Sequence, residues 1–308
     1  MGHGNYSHDA HMAMLQARAS SGSTEVFAQR TCHPLMNPKG VRARESRDSP
    51  EHPRSLGIIF ALDVSGSMGE IPRTLAATEL PSFMKVLGAC KVADPQVMFA
   101  AIGNAGWDSA PLQVGQFESS ADLMDKWLTS IYLEAGGGNE YESYELAMYF
   151  FATHTEMDCF VRRGRKGYLF ITGDEPAWPA LPRAHAEAVI GDRLDEDVPT
   201  AEVVAELAKS FHPFFLIPDL ARRAGCEAQW RELLGDHVLC MESHEDTCFV
   251  AAGAIAINEG IVGDLDQLAA LLAAQGAAGD RVSRIVRALT PFAASLESDG
   301  APLPKPHV

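Results

Sequence analysis

The sequence predicts a doubly wound α/β fold on a mostly parallel, six-stranded sheet with one antiparallel edge strand. Three observations predict it. Short continuous apolar runs, such as residues 56–62 and 167–172, alternate with longer stretches of helical period. Each run ends in a polar or glycine-bearing turn, as strands buried on both faces do when they leave a sheet. Strands that alternate with helices need crossover connections, and crossovers give parallel pairing.

The elements follow in order. Residues 56–62 form a continuous apolar strand ending at Asp63. Residues 70–90 read as helical, with Pro81 as a kink or break. A second strand spans 96–103, and residues 111–117 alternate apolar and polar after a short connection, which makes an antiparallel edge strand. Residues 121–133 are an amphipathic helix. Gly136-Gly137-Gly138 then interrupts the chain before a helix over 141–153. Residues 167–172 are the third buried strand, and 175–199 are a charged, proline-bearing loop with one helix. Thr200 is placed to cap a helix over 200–211. Strands at 213–217 and 237–241 flank a helix at 227–234, and helices at 246–258, 264–275 and 280–290 close the chain.

Composition bounds what this fold can do. Among 308 residues, 41 are acidic and 25 basic, a net charge of −16, and 46% are hydrophobic. That surface repels phosphate backbones, so nucleic acid is not expected as a partner, and it suits cations or basic partners. The longest apolar runs are about ten residues, short of the roughly 18 that span a bilayer, so no membrane segment is expected. The opening residues are polar and include His3, His8 and His11, without the apolar stretch of a secretory leader. Six dispersed cysteines with no C-x-x-C pair point to a reducing, cytoplasmic setting without disulfides or a zinc knuckle.

Residues 1–55 differ from the rest. They carry seven Lys/Arg, five Asp/Glu and five His, are punctuated by Pro34, Pro38, Pro50 and Pro53, and show no sustained apolar period. They read as an extended arm adding little to the core, with Val26-Phe27 and Leu35-Met36 as its docking points. The expected organisation is this arm at 1–55, an α/β domain at 56–260, and a helical extension and tail at 261–308.

Open α/β sheets bind ligands at the carboxyl ends of their strands. Beyond the first strand stands Asp63-Val64-Ser65-Gly66-Ser67-Met68-Gly69, a carboxylate and two hydroxyls at alternate positions. Hard oxygens so arranged suit Mg²⁺, Mn²⁺ or Ca²⁺. The competing reading is a plain turn in which Asp63 caps the next helix. After the third parallel strand, Thr172-Gly173-Asp174-Glu175 supplies a second strand-end carboxylate. Between them lies Gly136-Gly137-Gly138-Asn139-Glu140-Tyr141-Glu142-Ser143, where glycines permit close backbone approach. Asn139 and Glu142 fit a capping box as well as they fit metal contact. Trp107, in the loop after the second strand, is either a partner contact or a lid packed on the core, with packing preferred.

Together, Asp63-x-Ser65-x-Ser67, the glycine-rich loop opening a helix, and Thr172-Gly173-Asp174 resemble the metal-ion-dependent adhesion site (MIDAS) of von Willebrand factor A domains over residues 56–260. The resemblance implies a Rossmann-like sheet with its site on the top face. It assigns Asp63, Ser65, Ser67 and Asp174 as metal-site residues. The family's usual threonine is absent; Asn139 stands nearest its place, and Glu142 is placed to act through a bound water. The variant loop is similar to that of bacterial intracellular members.

What the resemblance implies is binding without catalysis: a divalent cation, Mg²⁺ or else Mn²⁺ or Ca²⁺, bridges this chain to an Asp or Glu of a protein partner, for which ATPase-associated complexes are one setting. The enzyme alternative is a Mg²⁺-dependent phosphatase or phosphotransferase of the haloacid dehalogenase type. That motif wants a second acid two positions after its nucleophile, where this chain has Ser65. A third alternative is a scaffold subunit whose site holds no metal.

Overall fold

The computed structural model describes residues 5–18, 23–69, 71–74, 80–134 and 141–298. Six strands form the main sheet: β1 Leu56–Asp63, β2 Pro95–Ile102, β3 Leu112–Val114, β4 Gly167–Thr172, β5 Phe211–Ile217 and β6 Val238–Cys240. Their spatial order is β6-β5-β4-β1-β2-β3. All neighbours pair in parallel except β2 and β3, so the edge strand is antiparallel as its alternation predicts. Every residue of β1 and β4 is buried, which is why both read as unbroken apolar runs.

Nine longer helices are described: α1 His8–Arg18, α2 Leu80–Ala89, α3 Ala121–Thr129, α4 Tyr144–Thr153, α5 Thr200–Ser210, α6 Arg223–Leu234, α7 Thr247–Asn258, α8 Leu265–Ala274 and α9 Gly279–Ser298. Strand alternation sends neighbouring side chains to opposite layers. Phe214 meets Phe292 of α9 at 5.0 Å between ring centroids, while Phe215 stacks on Trp230 of α6 at 3.9 Å. On the Phe214 side an aromatic row crosses four strands in register. Phe60 lies against Phe99 and Phe170, Phe170 against Phe214, and Phe83 of α2 meets Phe60 edge-on.

Several boundaries differ from the sequence reading, each for a local reason. Pro81 sits in the first turn of α2, where its missing N–H costs nothing. Thr200 is the first residue of α5 rather than its cap, and its hydroxyl donates to the Trp178 carbonyl at 2.5 Å. The 175–199 segment carries a small hairpin, Ala180–Leu181 with Val198–Pro199. Helix α3 stops at Thr129, where the Thr129 and Ser130 hydroxyls take the Asp125 and Lys126 carbonyls. Helix α9 continues through Pro291 to Ser298.

The arm contributes more packing than its composition suggests. Val26, Phe27 and Met36 are buried in the core, and Met36 is wholly enclosed, while Leu35 is exposed. Arg44–Ser46 pairs in parallel with Thr155–Met157. Asp48 accepts hydrogen bonds from Arg163 and Ser55, tying the arm to the body. The C-terminal helices join the same core through Leu268, Leu272, Ile285, Leu289 and Phe292. Arg281 and Arg284 of α9 both pair with the buried Asp246.

Candidate metal centre

Parallel register brings the two strand-end carboxylates to one edge of the sheet. Asp63 is the last residue of β1, and Leu62 lies opposite Thr172, two residues before Asp174. Asp63 is fully buried. Its Oδ1 accepts the Ser65 N–H at 2.8 Å and its Oδ2 accepts the Tyr144 hydroxyl at 2.5 Å. Burial pushes its carboxyl up to about 6; hydrogen bonds from Ser65 and Tyr144 pull it down, and the Asp174 charge raises it.

The turn after β1 places two hydroxyls just past the strand end, with Ser65 buried and Ser67 exposed. Ser65 is extended and precedes a tight turn over Gly66–Met68. Ser65 Oγ lies 2.9 Å from Ser67 Oγ, and Ser67 Oγ donates to Asp174 Oδ1 at 2.9 Å. Asp63, Ser65, Ser67 and Asp174 are therefore joined in one hydrogen-bonded chain. Two carboxylates and two hydroxyls are hard donors that suit a hard divalent cation. Among the described residues, no three His, Cys, Asp or Glu side chains gather as a chelating cluster, so the hydroxyls are integral to any such site.

Glu142 lies beside this chain and is almost wholly buried. Its N–H bonds the Pro176 carbonyl, it bridges in parallel to Ala177, and its Oε2 has no hydrogen-bond partner. Burial first, then the charges of Asp63, Asp108, Glu175 and Asp174, push its carboxyl up to about 9. The Thr172 Oγ1 is also buried without a partner. Asn139 and Gly136-Gly137-Gly138 lie outside the described residues.

Two residues at the site escaped the sequence reading. Tyr144 opens α4, and its ring packs edge-on against Phe215 and Trp230 while its hydroxyl reaches Asp63. Gly173 is required here, since a Cβ at that position would collide with the Tyr144 hydroxyl. Trp230 in turn donates to the Glu175 carbonyl at 3.0 Å, fixing the loop beyond Asp174. Arg222, in the turn between β5 and α6, donates to Asp174 Oδ2 and, at 2.8 Å, to the Ser67 carbonyl. Asp219, in the loop after β5, accepts Arg222 Nε at 2.7 Å.

Trp107 corrects an expectation. It is 72% exposed rather than packed on the core. Its loop is nonetheless tied down. Asp108 Oδ2 accepts the Asn104 N–H at 2.7 Å, and Ser143 Oγ accepts the Ala105 N–H at 2.9 Å. The loop thus holds to the segment that carries Glu142 and leaves the indole in solvent.

No family model matches the chain, and no curated protein matches it. Among solved structures, it is similar to proximal thread matrix protein 1 from the mussel byssus in a form with a zinc-occupied MIDAS motif. That match has 12% identity, a TM-score of 0.43, and covers 72% of this chain and 51% of the other. A second crystal form of the mussel protein matches at 10% identity and a TM-score of 0.42 over the same shares. The pilus adhesin SpaC from Lactobacillus rhamnosus GG matches at 11% identity and a TM-score of 0.39, over 80% of this chain and 32% of the adhesin. The chain spans about half the length of the mussel protein.

Proposed function

We propose that the protein is a metal-dependent interaction module of the von Willebrand factor A type, in which a divalent cation bridges this chain to a partner's Asp or Glu and no chemistry follows. Asp63, Ser65, Ser67 and Asp174 hold the ion, with Glu142 beside it; Mg²⁺, Mn²⁺ and Ca²⁺ all match these hard donors. The observation that carries the reading is the hydrogen-bonded run from the Asp63 turn through Ser65 and Ser67 to Asp174. A cation added there inverts the local field and lets a chain of net charge −16 receive a carboxylate. The partner carboxylate then belongs on a neutral or basic surface, because the surrounding charge repels an acidic one.

The buried state of Asp63, with both oxygens engaged, supports binding over a phosphoryl-transfer nucleophile. Six free thiols suit a reducing, cytoplasmic compartment. Among the described residues no helix is long and apolar enough to cross a membrane. A bacterial origin and service beside an ATPase complex extend the same reading.

A second reading, a scaffold that works without metal, is favoured by one observation: the Arg222 guanidinium already neutralises Asp174. A partner pull-down separates the two, using wild type, wild type in EDTA, and Asp63→Ala checked for fold by its melt. The metal reading expects capture only by wild type with metal. Equal capture by all three assigns the function to another surface.

A further inference from the structure

We propose that Arg222 is the resident cation of this centre: its guanidinium stands in for a divalent ion at Asp174 and competes with it, and so sets how tightly the site holds metal. The proposal rests on the metal reading above and concerns its regulation.

The geometry that points to Arg222 is a shared pair of acceptors. Its Nη1 donates both to Asp174 Oδ2 and to the Ser67 carbonyl at 2.8 Å. Ser67 and Asp174 are themselves linked at 2.9 Å and belong to the donor set for the cation. The guanidinium therefore sits astride two residues a divalent ion would use. A cation of charge two and a guanidinium on one carboxylate repel each other, so binding of one weakens the other.

Arg222 is also built to leave. Its Nε is held by Asp219 Oδ2 at 2.7 Å, and Asp219 Oδ1 accepts the Ala221 N–H at 3.0 Å, which fixes the turn. Asp219 thus provides a second acceptor outside the donor set and a pivot that keeps the charge paired when Nη1 releases Asp174. The Arg222 side chain is 27% exposed, against 8% for that of Asp174, so the moving partner is the one with access to solvent. A guanidinium stays charged across the whole physiological range, so Arg222 itself remains a cation throughout.

The test is a calorimetric Mn²⁺ titration of the full chain as wild type, Arg222→Gln and Arg222→Lys, each also melted in EDTA. The expected result is Mn²⁺ binding about tenfold or more tighter in Arg222→Gln than in wild type, with Arg222→Lys between them. In EDTA, Arg222→Gln should melt below wild type, because Asp174 has lost its partner, and Mn²⁺ should raise its melting temperature by the larger increment. Equal or weaker Mn²⁺ binding by a cooperatively melting Arg222→Gln overturns the proposal and leaves the metal reading standing. If neither wild type nor variant binds Mn²⁺ at millimolar concentration, the metal reading fails and the proposal with it.

Discussion

Tyr144 donates its hydroxyl to Asp63 Oδ2 at 2.5 Å, joining the start of a helix to the end of the central strand inside the core. This bond lets a fully buried carboxylate exist at the root of the site: it offsets the desolvation that pushes Asp63 up to about 6. Tyr144 itself is held well above the ordinary phenol range, by burial first and then by the Asp63 charge, so it remains a donor at every physiological pH.

Removing that donor should therefore hurt most when Asp63 is ionised. Tyr144→Phe leaves a buried acceptor unpaired, which costs about 1–3 kcal/mol. Urea melts in EDTA should show the larger loss at pH 8 and a smaller one at pH 5, where Asp63 is protonated. Equal losses at both would mean that the ring's packing, and not its hydroxyl, is what Tyr144 contributes.

A second carboxyl gives a pH dependence away from the metal donors. Glu145 on α4 is wholly buried, both its carboxyl oxygens lack a side-chain or main-chain partner of good geometry, and burial raises it from 4.5 to about 8. The folded state holds this proton more tightly than the unfolded chain does. Its contribution is therefore fully present below about pH 4.5 and is lost as pH rises toward 8. Glu145→Gln should match wild type in stability near pH 5 and exceed it at pH 8.5, by on the order of 1–3 kcal/mol in urea melts. A variant less stable than wild type at both values would show that Glu145 has a charged partner when folded.

The arm carries its own prediction. Met36 is fully enclosed although it lies between Pro34 and Pro38 in an arm with no sustained apolar period. Met36→Ala should lower stability by ~2–4 kcal/mol, the range for truncating a buried large side chain. Leu35→Ala next to it should change little, since Leu35 is 55% exposed. Denaturation of the two variants side by side decides whether the arm is core or appendage.

These cases show what the sequence made legible. Strands β1 and β4 were readable because a strand buried on both faces leaves an unbroken apolar run, and Asp63, Ser65, Ser67 and Asp174 because each stands just past such a run. Tyr144 and Arg222 were not. They reach the site across 81 and 48 residues of chain, carried by packing that no local period records. Arg222 has its only sequence trace in Asp219 three positions earlier, which looks like a solvated rim acid until the turn folds it against the guanidinium. Leu35 and Trp107 mislead in the same direction and for the same reason. Burial of a single apolar residue in a loop depends on distant surfaces, so Met36 is enclosed as expected while Leu35 and Trp107 are left in solvent.

The most direct test of the central claim is a crystal structure of the full chain grown with Mn²⁺, read by its anomalous difference map. The account predicts a peak within direct bonding distance of Ser65 Oγ, Ser67 Oγ and the Asp174 carboxylate, with the buried Asp63 carboxylate held to it through a water. A well-ordered site with no anomalous peak there at millimolar Mn²⁺ would contradict it.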